Sequence, residues 1–344
     1  MKNNGEFHIR KKRKKEHIDY FLKSNHNRSN LFEDIYIEHN ALPELNLEDI
    51  DTKCLFLGKY AEYPIMIDAV TGGTEFSREI NGDLSKLARK FSIPMAVGSQ
   101  TIALENEGSR ESFKIVRENM GEEGIVIANL NAHSSLDDVY CAIDMIDADA
   151  VQLHLNTAQE LVMKEGDKEF KGILENIKNI VSSLSKPVIV KEVGFGISGN
   201  VLSRLYDAGV KYVDISGSGG TNFIEIENER NDEMDFSDIY SWGIPTALSL
   251  IQCRRFKDDV HIISSGGIRN SQDVVKSLIL GAEMVGITGE ILKHLLYSGY
   301  EGAYTYIHGI VYKLKMLMLL LGKENLSELK NTPYKIKGVL KDLI

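Results

Sequence analysis

Within the seven residues "HLNTAQE", His154, Asn156, Gln159 and Glu160 bring an imidazole, two carboxamides and a carboxylate together directly behind an apolar run. Such a set can orient a small substrate, hold a proton at the imidazole and offer an oxygen to a hard cation. A single carboxylate suits Mg²⁺, which keeps several waters and leans on substrate phosphates for its remaining ligands. It equally suits a helix N-terminus, and His154 equally suits a hydrogen-bonded place in a protein core. Lys191 closes a second apolar run, "PVIVK", so its ammonium must meet an anion or carry a desolvation cost. Gly266-Gly267 with Arg269 in "SSGGIRN", and Thr288-Gly289 behind "MVGI", put small residues where backbone N–H groups can approach an anion, with Asn270 or Ser271 as a helix cap. Arg10 to Lys15 then place six consecutive cations at the head of a chain whose net charge is -10. Such a run is either a solvated or nucleic-acid-seeking tail or a local device for one particular anion.

Something must hold these groups together. From about residue 63 a short Val/Ile-rich run, a polar cluster and a segment of helical periodicity alternate. The runs span 63–70, 94–99, 124–130, 150–156, 187–194, 212–216, 261–267 and 284–288, and several are continuously apolar, as strands covered on both faces should be. Eight such units predict an α/β fold, a (β/α)₈ TIM barrel over residues 61–344, with residues 1–60 as an N-terminal extension carrying the basic arm. The outer helices lie in "NGDLSKLARKF", "SLDDVYCAIDMI", "EFKGILENIKNIVSSL" and "NSQDVVKSLILG". Gly217 to Ile239 is too long and acidic for a minimal loop and is expected as a lid or insertion over the mouth. Active sites of this fold lie at the C-terminal strand ends, and polar groups stand at every such exit. Lys191 would share the mouth with Ser99, Gln100, Asn129 and a phosphate loop behind strands seven and eight. A flat polar heterocycle carrying a phosphate uses all of these, and FMN answers that description.

The remaining composition excludes several classes. A sequence pI near 5.5 argues against nucleic-acid binding by the body of the protein. Cys54, Cys141 and Cys253 lack ligand spacing and suggest a reducing cytoplasm. Neither a signal peptide nor a membrane span is expected, and "VYKLKMLMLLLG" (311–322) suits a buried helix or a subunit contact.

From about Arg13 to its C-terminal helix the sequence resembles the type 2, FMN-dependent isopentenyl diphosphate isomerases. The motifs are "RKKEH" (13–17), "AVTGG" (69–73), "VGSQ" (97–100), "ANL" (128–130), "HLNTAQE" (154–160), "VKEVGFG" (190–196), "DISGSGGT" (214–221), "WGIPT" (242–246) and "SGGIR" (265–269). The resemblance implies that Arg13, Lys14 and His17 bind the substrate diphosphate. It implies His154, Asn156 and Gln159 at the substrate, Gln159 and His154 being catalytic, and Glu160 holding Mg²⁺. It also implies FMN among Ala69, Val70, Thr71, Ser99, Asn129, Lys191, Ser216, Thr221, Gly267, Ile268, Arg269, Thr288 and Gly289. The implied reaction is a 1,3-allylic proton transposition, isopentenyl to dimethylallyl diphosphate, in isoprenoid biosynthesis. Reduced FMN would itself give and take the protons near N5, after reduction by NADPH or NADH that is not consumed over turnovers. The expected assembly is a homotetramer or homo-octamer. Two departures stand out: Thr101 follows "GSQ" where many members carry a basic residue, leaving Lys11, Lys12 or Lys15 to compensate, and the basic run is long.

The rivals are an FMN hydroxy-acid oxidase, a nucleotide dehydrogenase on the same barrel, or a sensor that binds FMN without turnover. The first calls for a histidine base beside the arginine after strand seven, which "SSGGIRN" lacks. The second calls for a cysteine on a mouth loop, and the three cysteines lie outside the strand exits. The "HLNTAQE" cluster speaks against the third.

Overall fold

In the computed structural model, which describes residues 4–24 and 28–344 apart from the side chains of residues 4–12 and Lys15, each of the eight apolar runs contributes one strand. They are β1 (Ile65–Ile67), β2 (Met95–Ala96), β3 (Val126–Asn131), β4 (Ala150–His154), β5 (Val188–Lys191), β6 (Tyr212–Asp214), β7 (His261–Ser264) and β8 (Met284–Ile287), paired in parallel and in chain order, with β8 returning to β1. This is a closed (β/α)₈ barrel. Its strands are largely apolar because the outward face packs on helices and the lower part of the inward face on the other strands.

All four expected helices form, three of them where a side chain caps the first turn, while Ile173–Ser183 follows Gly172 with no side-chain cap. Ser135 and Asp138 make a reciprocal capping box ahead of Leu136–Met145. Asn270, rather than Ser271, caps Ser271–Ile279 by accepting from the N–H groups of Gln272 and Asp273. The helix containing "NGDLSKLARKF" begins earlier than its periodicity suggests, at Glu75, because Thr74 accepts from the Ser77 N–H. Gly289–Leu320 is a long helix broken at Gly299, where a φ of 66° takes the chain out of helical geometry. Its second half holds "VYKLKMLMLL" (311–320), with Leu314 and Met318 buried and Tyr312, Met316 and Leu320 exposed, and Leu321 and Gly322 end it. Among the described residues no helix is long and apolar enough to cross a membrane.

Inside the barrel the side-chain period of two makes two layers. The lower inward positions are Met66, Ala96, Ile127, Ala150, Ile189, Tyr212, Ile263 and Met284, which form one apolar cluster. The hairpin Cys54–Phe56 and Lys59–Ala61 plugs it from below with Phe56, Leu57 and Ala61. Two residues further along each strand the inward positions become Asp68, Gly98, Asn129, Gln152, Lys191, Asp214, Ser265 and Gly286. The register sets these side by side, Asn129 against Gln152 and Lys191 against Asp214.

The N-terminal helix α1 (Asn4–Lys23) lies across the mouth above this polar layer, anchored by the buried Ile18 and Phe21. A second tie joins the extension to the chain's other end, where Ile35–Ile37 pairs antiparallel with Tyr334–Ile336.

Candidate active site

A cavity of about 680 Å³ opens at the C-terminal ends of the strands beneath α1. Arg13, Lys14 and His17 form its roof, and the "HLNTAQE" side chains His154, Asn156, Gln159 and Glu160 one wall. Ala69, Val70, Thr71, Ser99 and Asn129 line the side of the first three strands, and Lys191, Ser216 and Thr221 the opposite side. Gly267, Ile268, Arg269, Thr288 and Gly289 close the end behind β7 and β8. Every site residue that the resemblance implies therefore meets in one cavity. Gln100 does not. It is buried behind the wall, donating to the Ala142 carbonyl (2.9 Å) and accepting from the Asn129 N–H (3.0 Å), so it holds Asn129 in place instead of facing a ligand. Thr101 does line the cavity, with its hydroxyl 3.1 Å from that of Ser99, whose carbonyl accepts from Lys14 Nζ at 3.0 Å. The side chains of Lys11, Lys12 and Lys15 lie outside the described residues.

The anion that Lys191 requires is a pair of carboxylates. Its Nζ stands 3.4 Å from Asp68 and 3.6 Å from Asp214, all three groups buried. Burial works against the ammonium, but the two carboxylates outweigh it, so Lys191 stays charged. Burial also pushes Asp68 up, yet Lys191 and the Gln152 amide bring it below its ordinary value. Asp214 moves the other way, to about 7, through burial and the charge of Asp68 that Lys191 only partly offsets. A chain of hydrogen bonds continues from Asp68: Gln152 Nε2 donates to Asp68 (2.8 Å), Asn129 Nδ2 to Gln152 (2.9 Å), and His154 Nδ1 lies 2.9 Å from Asn129 Oδ1. Burial, with Lys191 and Lys14, depresses the His154 imidazole to about 3, so it is neutral at physiological pH.

The "HLNTAQE" wall forms because β4 ends at His154 and a short helix, Thr157–Val162, starts at once with Asn156 as its N-cap residue. The Asn156 side chain makes no cap bond and instead donates to Glu160 (2.8 Å) and accepts from Asn131 (3.0 Å). Glu160 also accepts from the Asp167 N–H at 2.9 Å. Among the described residues no group of three His, Cys, Asp or Glu is placed to enclose a metal ion. One carboxylate at the wall fits Mg²⁺ shared with a ligand's phosphates and no tighter protein cage.

The roof is held by a latch that the sequence alone does not disclose. Glu227 is buried in Phe223–Asn228, a short helix within the acidic 217–239 segment. It accepts from His17 Nε2 (2.8 Å) and Gln159 Nε2 (2.9 Å) and pairs with Arg230. Arg230 in turn reaches Glu16 of α1 (3.0 Å) and Glu165 (2.9 Å), and Arg13 lies 3.6 Å from Glu165. Burial pushes the Glu227 carboxyl up, but His17, Arg230 and Gln159 draw it down to about 2.

At the far end two glycine loops interlock. Gly266 and Gly267 have φ of 98° and 72°, and a Cβ on either would strike the Gly217–Gly220 backbone. Arg269 staples these loops through the carbonyls of Gly219 and Gly267. The first N–H groups of Gly289–Leu320 have no intrahelical acceptor and point toward this end, where Phe21 of α1 packs against Gly289. An anion-binding end, a polar floor and a fixed cation over several hundred Å³ fit FMN. The loop after β5 is pinned by Glu192, whose Oε2 accepts the N–H groups of Val193, Gly194 and Phe195 at 2.6–2.8 Å.

Residues 142–335 match the FMN-dependent dehydrogenase family. Among solved structures, a flavocytochrome b2 variant with sulfite bound superposes with a TM-score of 0.69 at 19% identity, over 93% of this chain and 80% of that one. A mandelate oxidase with benzoyl-formic acid gives 0.65 at 18%, over 91% and 89%. At such identities these show the shared barrel. Sequence relatives are nearer. The isopentenyl-diphosphate delta-isomerase of Moorella thermoacetica is 43% identical over 98% of this chain and 96% of its own length. That of Bacillus licheniformis is 44% identical over 96% and 94%. Identity of that order over almost the whole length of both chains places this one in the type 2, FMN-dependent isopentenyl-diphosphate delta-isomerase family.

Proposed function

We propose that the protein interconverts isopentenyl and dimethylallyl diphosphate, with FMN seated in the cavity and Mg²⁺ at Glu160. The observation carrying this reading is the division of one cavity into a flavin-suited end, with interlocked glycine loops and Lys191, and a diphosphate-suited roof of Arg13, Lys14 and His17. FMN would be held by the backbone of Gly267, Ile268 and Gly289, by Ala69, Val70, Thr71, Ser99, Asn129, Ser216, Thr221, Arg269 and Thr288, and by the Lys191 ammonium. When bound and reduced by NADPH or NADH, it supplies an acid–base group of a strength that no side chain here offers to an unactivated alkene.

The chain's own residues do the rest. Arg13, Lys14 and His17 neutralise a diphosphate and, with α1, exclude water above it. In this reading the Arg13–Glu165 contact is a placeholder that a phosphate displaces. Gln159, whose Nε2 is committed to Glu227, presents its carbonyl edge to the substrate and fixes the hydrocarbon's orientation. Remote binding of the diphosphate aligns an otherwise featureless five-carbon chain. Cys54, Cys141 and Cys253 line no part of the cavity, which disfavours a cysteine-dependent dehydrogenase. Their unpaired state supports a cytoplasmic location. The exposed Tyr312, Met316 and Leu320, spaced i, i+4 and i+8, support a subunit contact at this face, which the proposed homotetramer or homo-octamer would use.

The test is to supply the dithionite-reduced, FMN-loaded protein and Mg²⁺ with isopentenyl diphosphate, and the oxidised protein with lactate or mandelate. Allylic product in the first arm and no flavin reduction in the second is expected. The reverse outcome makes the protein a hydroxy-acid oxidase.

A further inference from the structure

Gln152 is fully buried in the polar layer and lines no part of the cavity, yet it sits in the middle of the hydrogen-bond chain from Asp68 to His154. The chain has a fixed direction. An ionised carboxylate only accepts, so the end of Gln152 facing Asp68 must be its NH₂ group, leaving Oε1 toward Asn129. Oε1 only accepts, so Asn129 must offer it Nδ2, leaving Asn129 Oδ1 toward the imidazole 2.9 Å away. Oδ1 only accepts, so His154 Nδ1 must carry the proton. Lys191, 3.4 Å from Asp68, keeps the carboxylate that anchors this sequence ionised. The Gln100 side chain fixes Asn129 from behind through its backbone N–H.

We propose that Gln152 and Asp68 are positioning residues that lock His154 as its Nδ1–H tautomer, so that the imidazole offers the cavity the Nε2 lone pair and no proton. His154 is then an acceptor or base. It neither donates to a diphosphate nor protonates an alkene, and its partner must be an N–H or O–H of the ligand, the cofactor or water. A second ring proton is opposed by burial, Lys191 and Lys14, which outweigh the Leu130 carbonyl. The identity of that partner rests on the proposed function; the tautomer does not.

The experiment is nitrogen NMR on the FMN-loaded protein labelled with ¹⁵N-histidine, the His154 signals being those lost in His154→Gln. Nδ1–H with bare Nε2 is expected in at least roughly tenfold excess, because the other tautomer sets two buried acceptors against each other. It should persist from about pH 5 to 8, where an ordinary histidine titrates. Gln152→Met cannot relay direction and should bring the two tautomers to comparable populations. Gln152→Glu should restore the wild-type pattern, since adjacent carboxyls share one proton and still leave an acceptor toward Asn129. An Nε2–H ring in the wild type, an unshifted ratio in Gln152→Met, or loss of Nδ1–H in Gln152→Glu each overturns the proposal. Should the Met variant not fold, the wild-type and Glu spectra still decide. Turnover with an Nε2–H ring refutes the tautomer lock alone, and the expected ring without isomerisation refutes the proposed function alone.

Discussion

The two inward layers of the barrel are one side-chain step apart and obey opposite rules. In the lower layer Met66, Ile127, Ile189, Ile263 and Met284 pack with the plug residues Phe56 and Leu57. In the upper layer Asp68, Asn129, Gln152, Lys191, Asp214 and Ser265 are as deeply buried but fully engaged with one another, Ser265 closing the set by donating to Asp214 at 2.7 Å. The lower layer tolerates any set of side chains that fills the space, whereas the upper is specified group by group, because an unpaired buried charge or amide is expensive. Stability and chemistry are thus separated along each strand by about 7 Å, two residues' rise.

The largest expected effect tests that separation on a single strand. Lys191→Met leaves Asp68 and Asp214 facing each other and should cost about 3–5 kcal/mol of stability in urea unfolding, with loss of activity. Ile189→Ala, two residues below, should cost a comparable amount of about 2–5 kcal/mol as a cavity, yet leave kcat of the folded enzyme within about twofold. If Ile189→Ala lowers kcat as far as Lys191→Met does, the layers are not functionally distinct.

Gly98 sharpens the same boundary. A Cβ there would sit 2.7 Å from the Thr71 backbone, which cannot yield as a flexible side chain would. Gly98→Ala should cost about 1–3 kcal/mol and weaken FMN binding in a fluorescence titration, by displacing the Ala69–Thr71 wall.

Smaller effects belong to the roof. Replacing Arg13 and Lys14 with Ala should raise KM for the diphosphate about tenfold or more with FMN affinity intact, each lost contact being charge-assisted. An unchanged KM returns the basic run to a solvated tail. Glu160→Gln should raise the Mg²⁺ concentration needed for half-maximal rate while the flavin stays bound. Loss of flavin instead would undo the metal assignment.

The smallest effect is a pH dependence of the latch. Glu227 is held at about 2 against an ordinary 4.5. A depressed carboxyl stabilises the closed roof fully above 4.5, and this contribution is lost as pH falls through 2. Hydrogen-exchange protection factors across residues 13–23, taken relative to the intrinsic amide rate at each pH, should therefore fall over that window. In Glu227→Gln they should already be low at neutral pH.

The same two layers explain what was legible beforehand. Continuous apolar runs located all eight strands, and their exits gave Thr71, Ser99, Asn129, Lys191, Ser216, Thr221 and the two glycine ends, because position in this fold dictates function at strand ends, whereas Arg13, Lys14, His17, Ala69 and Val70 came only with the family resemblance. Asp68, Gln152 and Asp214 were present in "MIDAV", "VQLH" and "VDIS", but their roles depend on inward parity and register, which become definite only when neighbouring strands align. Counting two residues on from each apolar inward position would have found them. Gln100 misled for a related reason. β2 is only Met95–Ala96, and the chain turns into the helix Thr101–Glu105, carrying Gln100 behind Asn129. Glu227 lies 210 residues from His17, and nothing local in "FIEIEN" distinguishes it from the glutamate two residues before it.

The most direct test is to strip the protein of flavin, record isomerisation of isopentenyl diphosphate with Mg²⁺, then restore reduced FMN and record it again. No product from the colourless protein, and recovery in proportion to FMN bound, is expected. Undiminished conversion by the flavin-free chain would show that its side chains suffice and would contradict the account.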